Sequence, residues 1–282
     1  MDWSKAKNIL IFLFAFLNIF LSVILVNILN SGNISAGTIR DTVKVLNERG
    51  ITVSESHLKR YNKKMGKLIY TKFEFDRNAV IKNFFGDKYK QIDMENESEL
   101  EADGKRLIFE SECAFSYENT QAEEAGYKLD REEDVYKYLQ EKLKELDIPL
   151  KDFKFDYLTK NGEDKEFVYR QKYKGFWVYK NKVSVRVGSE GSVYLSCRYR
   201  TLGSLSKGKD VMPLYQVLLK NLTDANIAIK DIDIGYSENK MEKDTKELDD
   251  IPAWRVVYTD KQKKEGTYEE MFFKAYNGEI LE

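Results

Sequence analysis

Between Ile9 and Leu29 the chain runs for 21 residues, ILIFLFAFLNIFLSVILVNIL, without a single Asp, Glu, Lys or Arg. At about 1.5 Å of rise per residue such a helix covers about 30 Å, the thickness of a bilayer's hydrocarbon core. The run therefore predicts a transmembrane helix, and every other feature has to be placed relative to it. The competing reading is a secretory signal peptide, whose apolar region spans about 7–15 residues and ends at a small-x-small cleavage site. Here the run is longer, and the best such site, Ile34-Ser35-Ala36, lies well beyond it. Lys5 and Lys7 precede the run and no Lys or Arg follows it until Arg40. That asymmetry predicts a single-pass protein of the cell membrane with a cytoplasmic N-terminus and an extracellular C-terminal domain.

Within the run, Ala15, Asn18, Ser22 and Leu25 recur at spacings of three and four and share one face. Small residues let helices approach closely in lipid, and a buried amide seeks a partner there, so these four residues form a candidate partner-binding seam. The plain alternative is an isolated helix that tolerates one Asn and one Ser.

Beyond the run lies a charged, aromatic-rich region. The first 29 residues carry Asp2, Lys5 and Lys7, which leaves a formal net charge of −2 on the remainder and no basic field for nucleic acid. One His and two Cys in the whole chain leave no visible nucleophile–base pair and no His-based metal set. No catalytic residue, metal or cofactor is expected. A carboxylate pair for glycoside hydrolysis has no distinguishing mark among so many Asp and Glu residues. Cys113 and Cys197 each sit in a strand-like segment, compatible with a disulfide or with two buried thiols.

Periodicity predicts a helix from Thr38 to Glu48 with Gly50 at its C′ position, a strand from Lys67 to Phe75, a helix from Arg77 to Phe85 closed by Gly86, and a strand from Lys105 to Tyr117. Residues 93–103 and 238–250 read as loops. An ungapped offset of 79 then aligns residues 135–157 with 214–236, and helical spacing gives way to strand alternation at the same place in both copies. Asp130 with Glu133 suggests a capping box for the first helix, and Asp210 with Pro213 in the first turn begins the second. Strands Glu166–Tyr173, Phe176–Val187 and Gly191–Thr201 follow in the first copy, Ala253–Asp260 and Thr267–Tyr276 in the second. Tyr169, Tyr173, Phe176, Trp177 and Tyr179 surround the turn at Lys174 and Gly175, either as cross-strand core or as a binding surface.

The expected fold is α+β: a transmembrane helix, then antiparallel sheets each covered by a helix, with a tandem helix-plus-meander repeat. The expected division is a tail at 1–8, the anchor at 9–29, a tether at 30–37, an N-terminal α+β region at 38–128 and repeat modules at 129–205 and 206–282.

The opening Met1-Asp2-Trp3-Ser4-Lys5-Ala6-Lys7, running into the Phe/Leu/Asn-rich anchor as far as Leu21, resembles the start of the YycI family. The resemblance covers about 25 residues. It implies a non-enzymatic regulator that binds the sensor histidine kinase WalK (YycG) of the WalK–WalR two-component system, together with YycH, and so adjusts cell-wall metabolism. Of the anchor, it supports chiefly the face of Asn18 and Ser22. The closing turn Tyr276 to Ile280 is similar to that of PepSY-type modules, which implies the alternative of a membrane-tethered ligand-binding module. A tethered cell-wall hydrolase is the third reading.

Overall fold

The computed structural model describes residues 3–30, 34–58, 64–71, 74–86, 98–120, 129–188, 191–223, 225–238, 249–263 and 268–281. In its first helix, α1 (Trp3–Asn30), no residue of the apolar span Lys7–Leu25 is buried. It is a candidate membrane anchor, long and apolar enough to cross a bilayer. Residues 31–33 of the expected tether lie outside the described residues.

Helix α2 (Ala36–Glu48) starts where Ser35 Oγ accepts from the Thr38 N–H at 3.1 Å. It ends at Gly50, φ +80°, where the N–H groups of Gly50 and Ile51 close back onto Asn47 and Leu46. That is the left-handed ending the sequence predicts. Its face of Ile39, Thr42 and Leu46 is buried. A single turn, α3 (Glu55–Leu58), leads to β1 (Lys64–Met65) and β2 (Leu68–Tyr70). The strand expected over 67–75 is thus realised only at its start, and Phe73 lies outside the described residues. Helix α4 (Arg77–Phe85) is capped by Asp76, whose carboxylate accepts from the N–H groups of Asn78 and Ala79.

The strand expected from Lys105 to Tyr117 is two strands, β4 (Lys105–Ser111) and β5 (Ala114–Asn119), folded back so that Phe109 faces Phe115. Ser111 Oγ accepts from the Cys113 N–H at 3.4 Å and helps form the turn. Before them, β3 (Glu99–Ala102) pairs with β4. Residues 93–97 of the acidic segment lie outside the described residues.

Helix α5 (Glu132–Lys142) is followed by β6 (Phe153–Asn161), β7 (Asp164–Tyr173), β8 (Phe176–Val187) and β9 (Val193–Arg198), each antiparallel to the next. The capping box does not form. Arg131 takes the N-cap place without a side-chain cap, and Asp130 instead receives Lys165 Nζ of β7 at 3.1 Å. After β10 (Leu202–Leu205) and β11 (Lys209–Asp210), helix α6 (Leu214–Asn221) precedes β12 (Ile227–Glu238), β13 (Asp249–Asp260), β14 (Glu269–Lys274) and β15 (Ile280–Leu281), again antiparallel in sequence. Pro213 is the N-cap of α6 rather than a first-turn residue, and Asp210 belongs to β11, paired with Lys64 of β1. Residues 239–248 of the expected loop lie outside the described residues.

The two meanders belong to one sheet, thirteen-stranded among the described residues, in the order β10-β2-β13-β12-β8-β9-β5-β4-β3, with β14–β15 attached at β13 and β6–β7 at β8. The join is a short parallel contact in which Gly235 and Tyr236 of β12 meet Trp177 and Val178 of β8. Gly235 is required there. A Cβ would fall on the Trp177 carbonyl oxygen and within 2.8 Å of the Tyr179 ring.

Helices cover this sheet in two places. Helices α4 and α5 close one core with Phe84, Val135, Tyr138 and Leu139 over Leu107, Phe115, Tyr169, Val183 and Leu195. Helices α2 and α6 close the other with Ile39, Leu46, Val217 and Leu218 over Ile232, Tyr236, Trp254, Val256 and Phe273. Residues 36–70 therefore pack with the last strands of the chain, whereas α4 and β3–β5 pack with its middle.

Candidate functional site

Two places carry polar groups in unusual surroundings: the apolar helix α1, and the side of the sheet that is helix-free among the described residues. On α1 the residues Ala15, Asn18, Ser22 and Leu25 are all exposed on one face. Asn18 Nδ2 donates to the Phe14 carbonyl at 2.8 Å, and Ser22 Oγ donates to the Asn18 carbonyl at 2.8 Å. This back-bonding lowers the cost of placing both side chains in hydrocarbon. The second hydrogen on Asn18 Nδ2 and the side-chain Oδ1 are not used in these two bonds.

The aromatic cluster around the β7–β8 turn is core rather than surface. Tyr169 and Tyr179 are buried, and Tyr173 and Phe176 pack against the second core. Trp177 is half-buried with Lys172 Nζ 4.1 Å from its ring centroid. Beneath it lies a charge cluster the sequence did not announce. Alternation turns Phe167, Tyr169 and Val183 toward the helices, so Arg170 points to the opposite side. A register shift between Phe155 and Tyr157 accompanies the turn of Asp156 inward. From the other half come Asp233 of β12, Arg255 of β13 and Glu270 of β14.

These five side chains interlock. Arg255, 2 % exposed, donates through Nε to Asp233 at 3.1 and 3.2 Å, through Nη2 to Asp156 and Asp233, and through Nη1 to Asp156 and, at 3.0 Å, Glu270. Arg170 makes a bidentate pair with Glu270, 2.7 and 2.8 Å, and also holds Asp156. The Tyr179 hydroxyl donates to Asp233. The Tyr179 ring lies 5.2 Å from the Arg255 guanidinium and 5.9 Å from that of Arg170. Burial pushes the Glu270 carboxyl up, but the bonds and charge of Arg170, with Arg255 behind them, outweigh it and hold the group below its ordinary value. Burial dominates at Asp233, which stays above its ordinary value despite Arg255 and Tyr179. Burial also raises the Tyr157 phenol, to about 12.

A second buried group ties the far edge together. Arg200 Nη2 donates to Asp250 Oδ1 at 2.8 Å, the Tyr70 hydroxyl donates to Asp250 Oδ2 at 2.7 Å, and the Arg200 guanidinium lies 4.0 Å from the Tyr70 ring centroid. Both arrangements join strands distant in sequence, and every carboxylate of the five-residue cluster accepts from arginine. Cys113 and Cys197 are both free thiols; burial, with Cys113 adding, pushes the Cys197 thiol up.

The cluster left one trace in the sequence. Arg170 after Phe167-Val168-Tyr169, Arg255 after Trp254 and before Val256-Val257, and Asp233 between Ile232 and Ile234 are charges centred in apolar strands.

The sequence model of the YycI protein family matches residues 29–276. No curated protein sequence matches the chain. Among solved structures, an uncharacterized protein from Eubacterium rectale is similar at 12 % identity and a TM-score of 0.44, covering 78 % of this chain and 86 % of its own. YycH from Bacillus subtilis is similar at 16 % identity and a TM-score of 0.48, covering 74 % of this chain and 52 % of its own. The C-terminal domain of YpeB from Bacillus megaterium is similar at 11 % identity and a TM-score of 0.37, covering 89 % and 96 %.

Proposed function

The chain belongs to the YycI family, and from that premise we propose that it is a non-enzymatic, membrane-anchored regulator that binds a WalK-type sensor histidine kinase, together with YycH, and biases its output. The observation that carries this reading is the family match over residues 29–276. The anchor's bare apolar surface supports it. Among the described residues outside α1, Tyr268 and Ile280 are the only large apolar side chains that are exposed, so among the described residues the widest apolar surface is that of α1.

In this reading the N-terminus is cytoplasmic and the sheet domain extracellular. Ala15, Asn18, Ser22 and Leu25 face a kinase transmembrane helix, close enough at Ala15 and Ser22 for Asn18 to reach across. The six chain steps from Asn30 to Ala36 span at most about 20 Å, so the sheet domain stays near the membrane and its position is passed to the anchor. Regulation then requires that the complex favour one kinase state over another.

Photo-crosslinkers on the Ala15–Leu25 face in native membranes should capture the kinase, and a crosslink to soluble material alone would sink the proposal. The Asn18→Leu, Ser22→Leu double variant should weaken association in a membrane two-hybrid assay about threefold, from about 0.6 kcal/mol for an interhelical hydrogen bond. Unchanged association would remove the seam.

A further inference from the structure

On the helix-free side of the sheet the pairing register sets three cations in a row. Arg170 of β7 lies directly opposite Lys182 of β8, and Lys182 lies directly opposite Arg198 of β9. Like charges in directly opposed cross-strand positions are destabilising. The outer two are drawn aside, Arg170 to Asp156 and Glu270, and Arg198 to Glu238 at 3.2 Å. Lys182 in the middle has its carboxylate partner, Glu166, no nearer than 3.9 Å. Its side chain is about one-third exposed, and partial burial lowers its pKa.

These three residues line a cleft of about 280 Å3 that also meets Glu110, Lys180, Ser196 and Glu270, with the rings of Tyr179 and Phe272 on its wall. The rings pack edge to face at 5.0 Å between centroids. The Nε–H groups of Arg170 and Arg198 are buried without an acceptor among the described residues. Glu270 is committed to Arg170 and Arg255 and has little capacity left for Lys182. The cleft spans strands β8 and β9 of the middle segment and β14 of the last, so an occupant would touch both halves of the sheet domain.

We propose that the Arg170–Lys182–Arg198 row binds a small carboxylate with a short aliphatic stem, the oxyanion neutralising the central lysine and the stem lying on Tyr179 and Phe272. At about 30 Å3 for each water displaced, the cleft has room for a molecule the size of a small dicarboxylate but not for a folded chain. Its charge row favours an oxyanion, and its ring wall favours a carbon stem over a bare inorganic ion.

Isothermal titration of the full-length protein in lipid nanodiscs with sodium glutarate tests this. Wild type should bind saturably and more weakly as salt rises. Lys182→Gln should weaken binding about tenfold or more, as expected for one charge-assisted hydrogen bond, and Lys182→Arg should restore most of it. Because Lys182→Gln also relieves the repulsion in the row, its ligand-free melting temperature should equal or exceed that of wild type. A structural role alone would instead lower it. No saturable glutarate binding, equal binding by Lys182→Gln, or equal affinity for inorganic phosphate would overturn the assignment. The readout contains no kinase, so it fails or succeeds apart from the regulatory reading.

Discussion

Arg255 is the residue on which most of the helix-free side depends. Its guanidinium meets three carboxylates from three strands, and nothing else in reach neutralises Asp233 to the same degree. Removing one member of a buried ion cluster strands the others, at a cost of about 3–5 kcal/mol. Arg255→Met should therefore lower the urea midpoint sharply, and a loss below about 1 kcal/mol would show that the cluster contributes little. The carboxylates also make stability depend on pH with opposite signs. Glu270, depressed in the folded state, contributes stability that is complete above its unfolded pKa of about 4.3 and lost as pH falls through its lower folded value. Glu270→Gln should flatten that part of the acid-unfolding profile. Asp233, raised in the folded state, contributes stability below its unfolded pKa of about 3.9 that is lost as pH rises through its higher folded value. Asp233→Asn should leave the low-pH limb intact and remove that loss.

At the scale of elements, the parallel contact between β8 and β12 decides whether the molecule has one sheet or two. It involves two register pairs, and Gly235 permits the close approach. Gly235→Ala should cost about 1–3 kcal/mol by overpacking and should raise hydrogen exchange first along β12 near residue 235. Uniform exchange with unchanged stability would mean that the strands part easily there. Elements whose signals are local were legible beforehand: α4 begins and ends as its periodicity and Gly86 indicate, and β8 covers Phe176–Val187 as expected. The β4–β5 turn was not, because alternation continues in phase across a two-residue reversal and no Gly or Pro marks Glu112 and Cys113. The capping box failed for a related reason. Lys165, a strand away, competes for Asp130.

For the whole molecule, the apolar span of α1 lies in neither core of the sheet domain. A protein lacking residues 1–33 should keep the near-ultraviolet dichroism of the full chain and a melting temperature within about 4 °C of it. A large drop would show that α1 packs on the domain.

Length and charge alone marked Ile9–Leu29 as a candidate anchor, because the thickness of a bilayer is a one-dimensional criterion that a string of residues meets or does not. Apolar periodicity, with cap and turn residues, determined the α+β class and most helices and strands of the middle and last segments, since these rest on contacts between near neighbours. Only the tertiary structure decided that α2 and α6 share one core and α4 and α5 another, that a single sheet runs through both, and that Asp156 meets Arg255 from 99 residues away. Such pairings depend on strand register and on two faces meeting in space, and a chain with this many acidic and basic residues offers too many equivalent partners for sequence to choose among them.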